Sequence, residues 1–579
     1  MLLFFRLTEF APVNSPTPAI VAQSAVRRLP RIALLLFCIA YVLPGFLGRD
    51  AWKSADMAAL GYMAELANGT ARWLQPTLMG AAPEHPALLP YWIGAWAIQA
   101  APSWMPADFA VRLAFGLFLA LALIATWYGT YYLGRTPRAQ PVAFAFGGEA
   151  LPTDYARAMA DAGLLAFIAS LGLAQLSHET TPAVAQLGFV ALLFYGISAL
   201  PYRRLGPAIA AGLGVTGLAL SGAPALAFLL GVGGALVHAL DQATESADTR
   251  APHAIRLESS ALLLLTLGVS AIAFHFDQWR WMVSLPQATL AQWNGIAQLL
   301  IWFTWPVLPL AVWTIWRWRK HLFSWQISRH VALPTWFVLV PLVATVFTGS
   351  SDRTLLLSLP PLAALAAFAL PTLRRSVAAL IDWFTLLFFS GCGIIIWVVW
   401  IAMQTGVPAQ PAANVARLAP GFTPSFSLAF FAIALAATLV WAWLVKWRVG
   451  RHRAVIWKSL VLPAGGAAMC WLLLMTLWMP LLNYTQSYRT LVARTLPLLN
   501  TAGCVQTLGL SQGQIAAFQF YGQLQLRPFI SVDRCDWLMA EPGLDYVAPP
   551  GIDAQQWTQQ ALAEHPADGS LNVLIFKRR

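Results

Sequence analysis

Apolar runs long enough to cross a bilayer recur from about residue 31 to residue 482, and a polar tail follows. A span requires ~20 mostly apolar residues to cover ~30 Å of hydrocarbon. Only 10% of the chain is Asp, Glu, Lys or Arg, against ~25% in an ordinary soluble protein. Those charges are bunched between the apolar runs. A water-soluble globule is thereby excluded, and the expected fold class is a mainly α, polytopic membrane protein with a small C-terminal α/β domain.

Thirteen spans are expected, at roughly 32–48, 108–133, 159–177, 182–199, 206–221, 223–240, 259–275, 297–316, 331–348, 355–371, 381–403, 425–445 and 459–482. Lys and Arg stay preferentially on the cytoplasmic side of a span. With Arg27, Arg28 and Arg31 placed inside, alternate loops carry Arg135 and Arg138, Arg203 and Arg204, Arg250 and Arg256, then Arg317, Arg319, Lys320 and Arg329. Arg374 and Arg375 follow, and Lys446, Arg448, Arg451, Arg453 and Lys458 complete the series. The intervening loops hold few cations. An odd span count then puts the tail, 483–579, on the periplasmic side of a bacterial inner membrane. The net charge of +12 is mostly this sidedness, with attraction to anionic headgroups added; no basic-aromatic module points to nucleic acid. A polar, proline-containing stretch at 14–18 precedes the first span, so no cleavable signal is expected.

Cys38, Cys392 and Cys470 fall inside spans as small buried residues. Cys504 and Cys535 lie in the tail, face an oxidising compartment under this orientation, and are expected to form a disulfide. In the tail, strands are expected at 504–508, 527–532, 545–548 and 571–577, with helices at 512–521 and 554–563. Alternating strands and helices imply an α/β unit.

Most outside loops are short, but the first, 49–107, is long and holds the polar chemistry. Ser54 is the expected N-cap of a helix that carries Asp56 in its first turn. Met57, Leu60 and Ala64 line one side, and Asn68-Gly69 ends it; such a helix would lie along the membrane surface. The stretch 88–101 is apolar but short and flanked by prolines, so it reads as a juxtamembrane or re-entrant piece.

This loop carries a resemblance. A span, a long acidic outside loop, a surface helix, Trp73-Leu-Gln-Pro-Thr-Leu-Met-Gly80, then Glu84-His-Pro with Tyr91-Trp92, is similar to the C-type (GT-C) membrane glycosyltransferases. The lipid A aminoarabinose transferases and protein O-mannosyltransferases are the relatives it resembles. Asp352-Arg353 leading into Leu359-Pro-Pro-Leu362 is similar to a basic segment of that family. The resemblance implies transfer of a sugar from a polyprenyl-phosphate donor to a lipid (lipid A-like, in lipopolysaccharide) or protein acceptor on the periplasmic side, with inversion. It also implies a first-loop carboxylate as catalytic base and cations on the donor phosphate.

The chain departs from the family pattern. Ser54, Ala55 and Asp56 stand where Pro-Asp-Glu is usual, and Glu84-His85-Pro86-Ala87 replaces Glu-Lys-Pro-Pro. The aspartate expected near the start of the fourth span is missing, and Glu179 is the nearest acid. The base is therefore Asp50 or Asp56. Lys53, Glu84, His85, Arg280 and Arg353 are the candidate donor and phosphate contacts, while His178 and Glu179 read better as an ordinary loop tip. No cofactor is implied, although the Glu84–His85 pair leaves a divalent metal open. Two other readings stand beside the enzyme: a non-catalytic paralogue, and a transporter or flippase. Against transport, ionisable groups are almost absent from mid-span and no inverted repeat is visible.

Overall fold

The computed structural model describes residues 17–84, 86–241, 252–279, 289–322, 327–347, 352–449, 455–499, 503–529, 535–543, 549 and 552–579. Its N-terminal body begins with α1 (Arg31–Phe46), α2 (Lys53–Ala67), α3 (Leu89–Ala100) and α4 (Ala107–Gly134). Then come α5 (Pro152–Ala169), the single turn α6 (Leu173–Leu176), α7 (Pro182–Ala199) and α8 (Leu205–Leu220). Prolines stand in the first turn of α3, α5 and α7, where the missing N–H costs no helical bond.

The molecule is a multi-pass membrane protein. Among the described residues, seven helices are long and apolar enough to cross a membrane, or eight if one bent pair counts as a span. Four further apolar helices are shorter, among them α1 and α8. Each of the thirteen expected segments is largely helical, but four are not continuous helices: 355–371 is interrupted at Leu357-Ser358, 459–482 at Trp478, and the other two breaks meet each other. Segment 159–177 breaks after α5 at Ser170, and 297–316 is two helices, Leu290–Thr304 and Val307–Arg317, bent by 92°. Pro306 sits in that second break, and the backbone of Leu171 and Gly172 donates to the Trp305 and Phe303 carbonyls there at 3.1 and 2.8 Å. The two interruptions therefore satisfy each other's open backbone groups, as apolar surroundings require.

Helix packing uses small residues. A methyl added at Gly196 of α7 would lie 2.6 Å from the Ala211 amide nitrogen of α8, so the two backbones meet almost directly. The helix Lys458–Leu477 is buried along most of its length, whereas Arg375–Thr405 and Leu428–Arg448 turn mostly exposed apolar side chains outward, as lipid-facing helices do.

The tail folds on a mixed five-stranded sheet of order β2-β1-β3-β5-β4. Its strands are β1 (Val505–Leu508), β2 (Leu526–Pro528), β3 (Trp537–Ala540), β4 (Trp557–Ala563) and β5 (Val573–Arg578). β1 pairs in parallel with β2 and β3, while β5 runs antiparallel to β3 and β4. The helix Gln512–Phe520 carries the β1–β2 crossover, opened by a Ser511–Gln514 capping box. Two expectations fail. The segment 554–563 is not a helix but supplies the edge strand β4, bulged between Gln559 and Ala561, and β3 was not expected. The strand expected at 545–548 lies outside the described residues.

Candidate active site

Loop 47–52 brings the end of α1 to the start of α2. No side chain caps α2: Trp52 occupies the N-cap position, and Lys53 takes a left-handed φ of 59°. Ser54 is displaced from the capping role because the helix begins two residues earlier, and its Oγ lies 2.6 Å from where a methyl on Gly513 would stand. Nor does α2 lie free on the membrane surface. It is packed between α3 and the tail helix, with Gly61 against Ala516 and Met63 against Gly94. Gly69, at φ 73°, ends it as expected.

This packing buries Asp56, which is 3% exposed. One carboxylate oxygen, Oδ1, accepts from the Thr180 backbone N–H and from the Thr180 hydroxyl, both at 2.7 Å. The other, Oδ2, has only the Arg49 guanidinium among the described residues, at 3.6 Å. Arg49 is itself 2% exposed. It donates to the His178 carbonyl at 2.9 Å and lies 4.3 Å over the Trp52 ring. Burial lowers the Arg49 pKa, with Asp56 and then Glu179 pulling it back up.

Residues 177–181 are not an ordinary loop tip. Glu179 is fully buried, and its Oε2 accepts from Arg353 Nε at 3.1 Å and Nη2 at 2.8 Å. Its Oε1 has no partner among the described residues. Burial, and after it the neighbouring Asp56 charge, raise the Glu179 pKa; the Arg353 and Arg49 charges oppose them. Burial also works against the Arg353 charge, but Glu179 outweighs it and the Arg353 pKa rises. Arg353 keeps an outward face, its side chain being 29% exposed. Two carboxylates and two guanidiniums are thus brought together in one cluster, with Asp56, Glu179 and Arg49 buried and Arg353 at its outer edge.

His178 holds the loop in place. Its ring lies between Phe46 and Trp471, 4.8 Å from each, and its Nε2 sits 3.1 Å from the Tyr41 carbonyl. Burial lowers its pKa to about 3, so the ring is neutral. It acts through shape.

Asp50 belongs elsewhere. Its backbone N–H donates to Asn483 Oδ1 at 3.0 Å, as does the Trp52 indole at 2.9 Å. Its carboxylate pairs with Arg489 at 3.3 Å, and Arg489 also reaches Asp108 at 3.9 Å and lies 4.5 Å over the Tyr521 ring. Asp50 therefore straps the first loop to the tail. Lys53 and Glu84 are exposed and make no ion pair among the described residues. His85 and Arg280 lie outside the described residues. No group of three or more His, Cys, Asp or Glu among the described residues could hold a metal ion. Cys504 and Cys535 are joined by a disulfide, with Cα atoms 5.3 Å apart, beside the β1–β3 pair.

Sequence reasoning did not assign Arg49, Thr180 or the Arg489–Asp108 strap, and it preferred a bland role for Glu179. The signal for Glu179 was a lone acid in an otherwise uncharged turn before Pro182.

No family model matches this chain, and no curated protein matches it in sequence. Solved structures do. ArnT from Cupriavidus metallidurans bound to undecaprenyl phosphate superposes with a TM-score of 0.59 at 12% identity, covering 94% of this chain and 97% of that one. The apo form of the same protein gives 0.59 at 13% identity, covering 94% and 98%. An Archaeoglobus fulgidus oligosaccharyltransferase tethered to an acceptor peptide aligns at 0.45 and 10% identity over 86% of this chain and 64% of that one, too loosely to add to the comparison. The likeness to ArnT runs through both the helical body and the tail, and the chain has the fold of a GT-C membrane glycosyltransferase.

Proposed function

We propose that this protein transfers a sugar from a polyprenyl-phosphate donor to a hydroxyl of an envelope glycolipid (lipid A-like) or protein, on the periplasmic side of a bacterial inner membrane. The single observation that carries the reading is the buried Asp56–Glu179 pair, Asp56 from the first-loop helix and Glu179 from the turn at 177–181, beside Arg49 and Arg353. The ArnT structure that holds undecaprenyl phosphate supports the class of donor.

Asp56 is the base. Two hydrogen bonds from Thr180 fix Oδ1 and leave Oδ2 without one. An acceptor hydroxyl gives its proton to Oδ2 while its oxygen attacks the anomeric carbon. The bond from that carbon to the donor phosphate breaks on the opposite face, its electrons go to the phosphate oxygen, and the configuration inverts. Arg353, through its exposed face, holds the departing phosphate, with Lys53 and His85 as further cations. Glu179 keeps Arg353 in place. Asp50, already engaged by Arg489, is a strap.

The test uses purified full-length protein with labelled polyprenyl-phosphate sugar and an envelope extract as acceptor, reading release of free polyprenyl phosphate. Asp56→Asn should lower release by at least about a hundredfold, and Asp50→Asn by only a few-fold. Equal rates in Asp56→Asn and wild type remove Asp56 from the mechanism.

A further inference from the structure

A polar cavity lies at the far end of α4. Asp108 and Arg112 at the start of α4 adjoin the Arg489 strap, whereas Tyr128 to Arg135 close the helix. At ~1.5 Å rise per residue these ends are about 25–35 Å apart, which matches the ~30 Å hydrocarbon layer. The far end holds a cavity of about 270 Å³ lined by four arginines, Arg31, Arg135, Arg157 and Arg203. No carboxylate lines it, and none of the four makes an ion pair among the described residues. The nearby acids are already used. Asp154 takes Arg28 at 3.1 Å and Gln23 at 2.9 Å; Asp161 takes the Trp127 indole at 2.9 Å and the Leu29 amide at 3.3 Å.

The walls are aromatic. Tyr132 stacks on Tyr202 with centroids 5.4 Å apart, Trp127 on Tyr131 at 5.6 Å, and Arg135 lies 4.9 Å over Tyr202. Stacked rings hold the guanidiniums and supply hydroxyl donors. Below the cavity, Leu113, Leu117, Ile124 and the lining residue Tyr128 are exposed along one face of α4. Leu205, Ile209 and Leu213 continue an exposed apolar face directly after Arg203. A ligand here therefore needs an anionic head and an apolar tail.

The geometry points to a binding site for the phosphate headgroup of an anionic lipid, in the leaflet opposite the candidate active site, with the acyl chains along the exposed face of α4. The arginines, of which Arg157 also feels the Asp154 and Asp161 charges, attract phosphate and the tyrosines hydrogen-bond it. The aliphatic stripe separates a lipid from free phosphate. This site stands apart from the transfer reaction and uses none of its residues.

The experiment is native mass spectrometry of delipidated full-length protein in neutral detergent, titrated with dioleoyl phosphatidic acid, dioleoyl phosphatidylcholine or inorganic phosphate. Phosphatidic acid should bind as one tight copy, and phosphatidylcholine should not. The triple variant Arg135→Gln/Arg157→Gln/Arg203→Gln should weaken that copy about a hundredfold. Arg203→Gln alone, in an exposed turn that does not threaten folding, should weaken it about fivefold. A control, Arg319→Gln/Lys320→Gln/Arg375→Gln, removes equal charge from loops expected on the same face and should change binding by less than about threefold. Equal weakening by both triples, or equal binding of the two lipids, overturns the site. Displacement of phosphatidic acid by inorganic phosphate at equal concentration overturns the lipid assignment.

Discussion

Replacing Gly45 with alanine should disable the candidate active site without touching it. A methyl at Gly45 would stand 2.2 and 2.4 Å from two ring carbons of His178 and 2.6 Å from the Trp471 ring. The His178 ring has no free direction in which to turn, because Phe46 and Trp471 flank it at 4.8 Å and a Tyr41 carbonyl lies 3.1 Å from Nε2. Moving from 2.2 Å to the 3.4 Å where ordinary contact begins requires a retreat of about 1.2 Å. Overpacking of this kind costs ~1–3 kcal/mol. The retreat reaches Thr180 two residues on, and it stretches both 2.7 Å bonds to Asp56 beyond hydrogen-bonding range. A displacement near 1 Å at reacting groups costs about a hundredfold in rate. Gly45→Ala should therefore lower both thermal stability and polyprenyl phosphate release, the second more severely. Gly391→Ala is the matched control: open space surrounds that position, and the change should add up to ~1 kcal/mol of helix propensity. In a His178→Ala background the Gly45→Ala stability penalty should shrink, since one of the two rings it strikes is gone and Trp471 gains room to move. A Gly45→Ala protein that melts and turns over like wild type would refute the reasoning, as would an undiminished penalty in the His178→Ala background.

Glu179 gives a pH signature. Its folded pKa lies above the ordinary 4.5, so the folded state prefers the protonated acid. Stability from this group is complete below pH 4.5 and is lost as pH rises toward the raised folded value. Melting curves of wild type against Glu179→Gln should diverge across that window, and parallel curves would contradict the burial argument. Breaking the Asp50–Arg489 strap by Asp50→Asn should cost under ~1 kcal/mol, because the Arg489 side chain is 55% exposed and solvent screens the pair; a loss of transfer as deep as that of Asp56→Asn would reassign the base. Removing the disulfide by Cys504→Ser/Cys535→Ser opens a loop of sequence separation 31 and should cost the tail about 3–4 kcal/mol. Limited proteolysis in increasing urea reads that loss, and an unchanged digestion midpoint would argue against it.

The helical body was legible because hydropathy and Lys/Arg placement are local properties of sequence. They fail where a break depends on a distant partner. The bend at Pro306 is supported by Leu171 and Gly172, and nothing near residue 306 announces them. In the tail, the Ala/Gln-rich segment 554–563 has helical propensity, yet it lies as an edge strand against β5. Tertiary pairing decides such a segment, and propensity is only a weak prior. The four residues of β3 are all buried at the sheet centre, a run too short for periodicity to distinguish strand from helix.

The same limit explains the two aspartates. Asp50 and Asp56 are six residues apart in one loop, each with a cation close in sequence, so composition gives them equal claims. Their fates are set by partners 124 and more than 400 residues away: Thr180 for Asp56, Asn483 for the Asp50 backbone. Packing of α2 on the tail helix turns Asp56 inward. The bridge from Trp52 to Ser487 and the Asn483 contacts turn the preceding segment toward the tail. The tail is thus part of what shapes the candidate site, because the contacts that bury α2 also divide the acids into a strap and a buried carboxylate held by Thr180. Enlarging Gly61, where a methyl would come 2.6 Å from the Ala516 methyl, should therefore lower transfer even though neither residue is near the donor phosphate. Gly61→Val would push α2 from the tail helix and loosen Asp56 from Thr180. Full transfer in Gly61→Val, with the tail still docked by proteolysis, would mean that Asp56 is positioned by the loop at 177–181 alone.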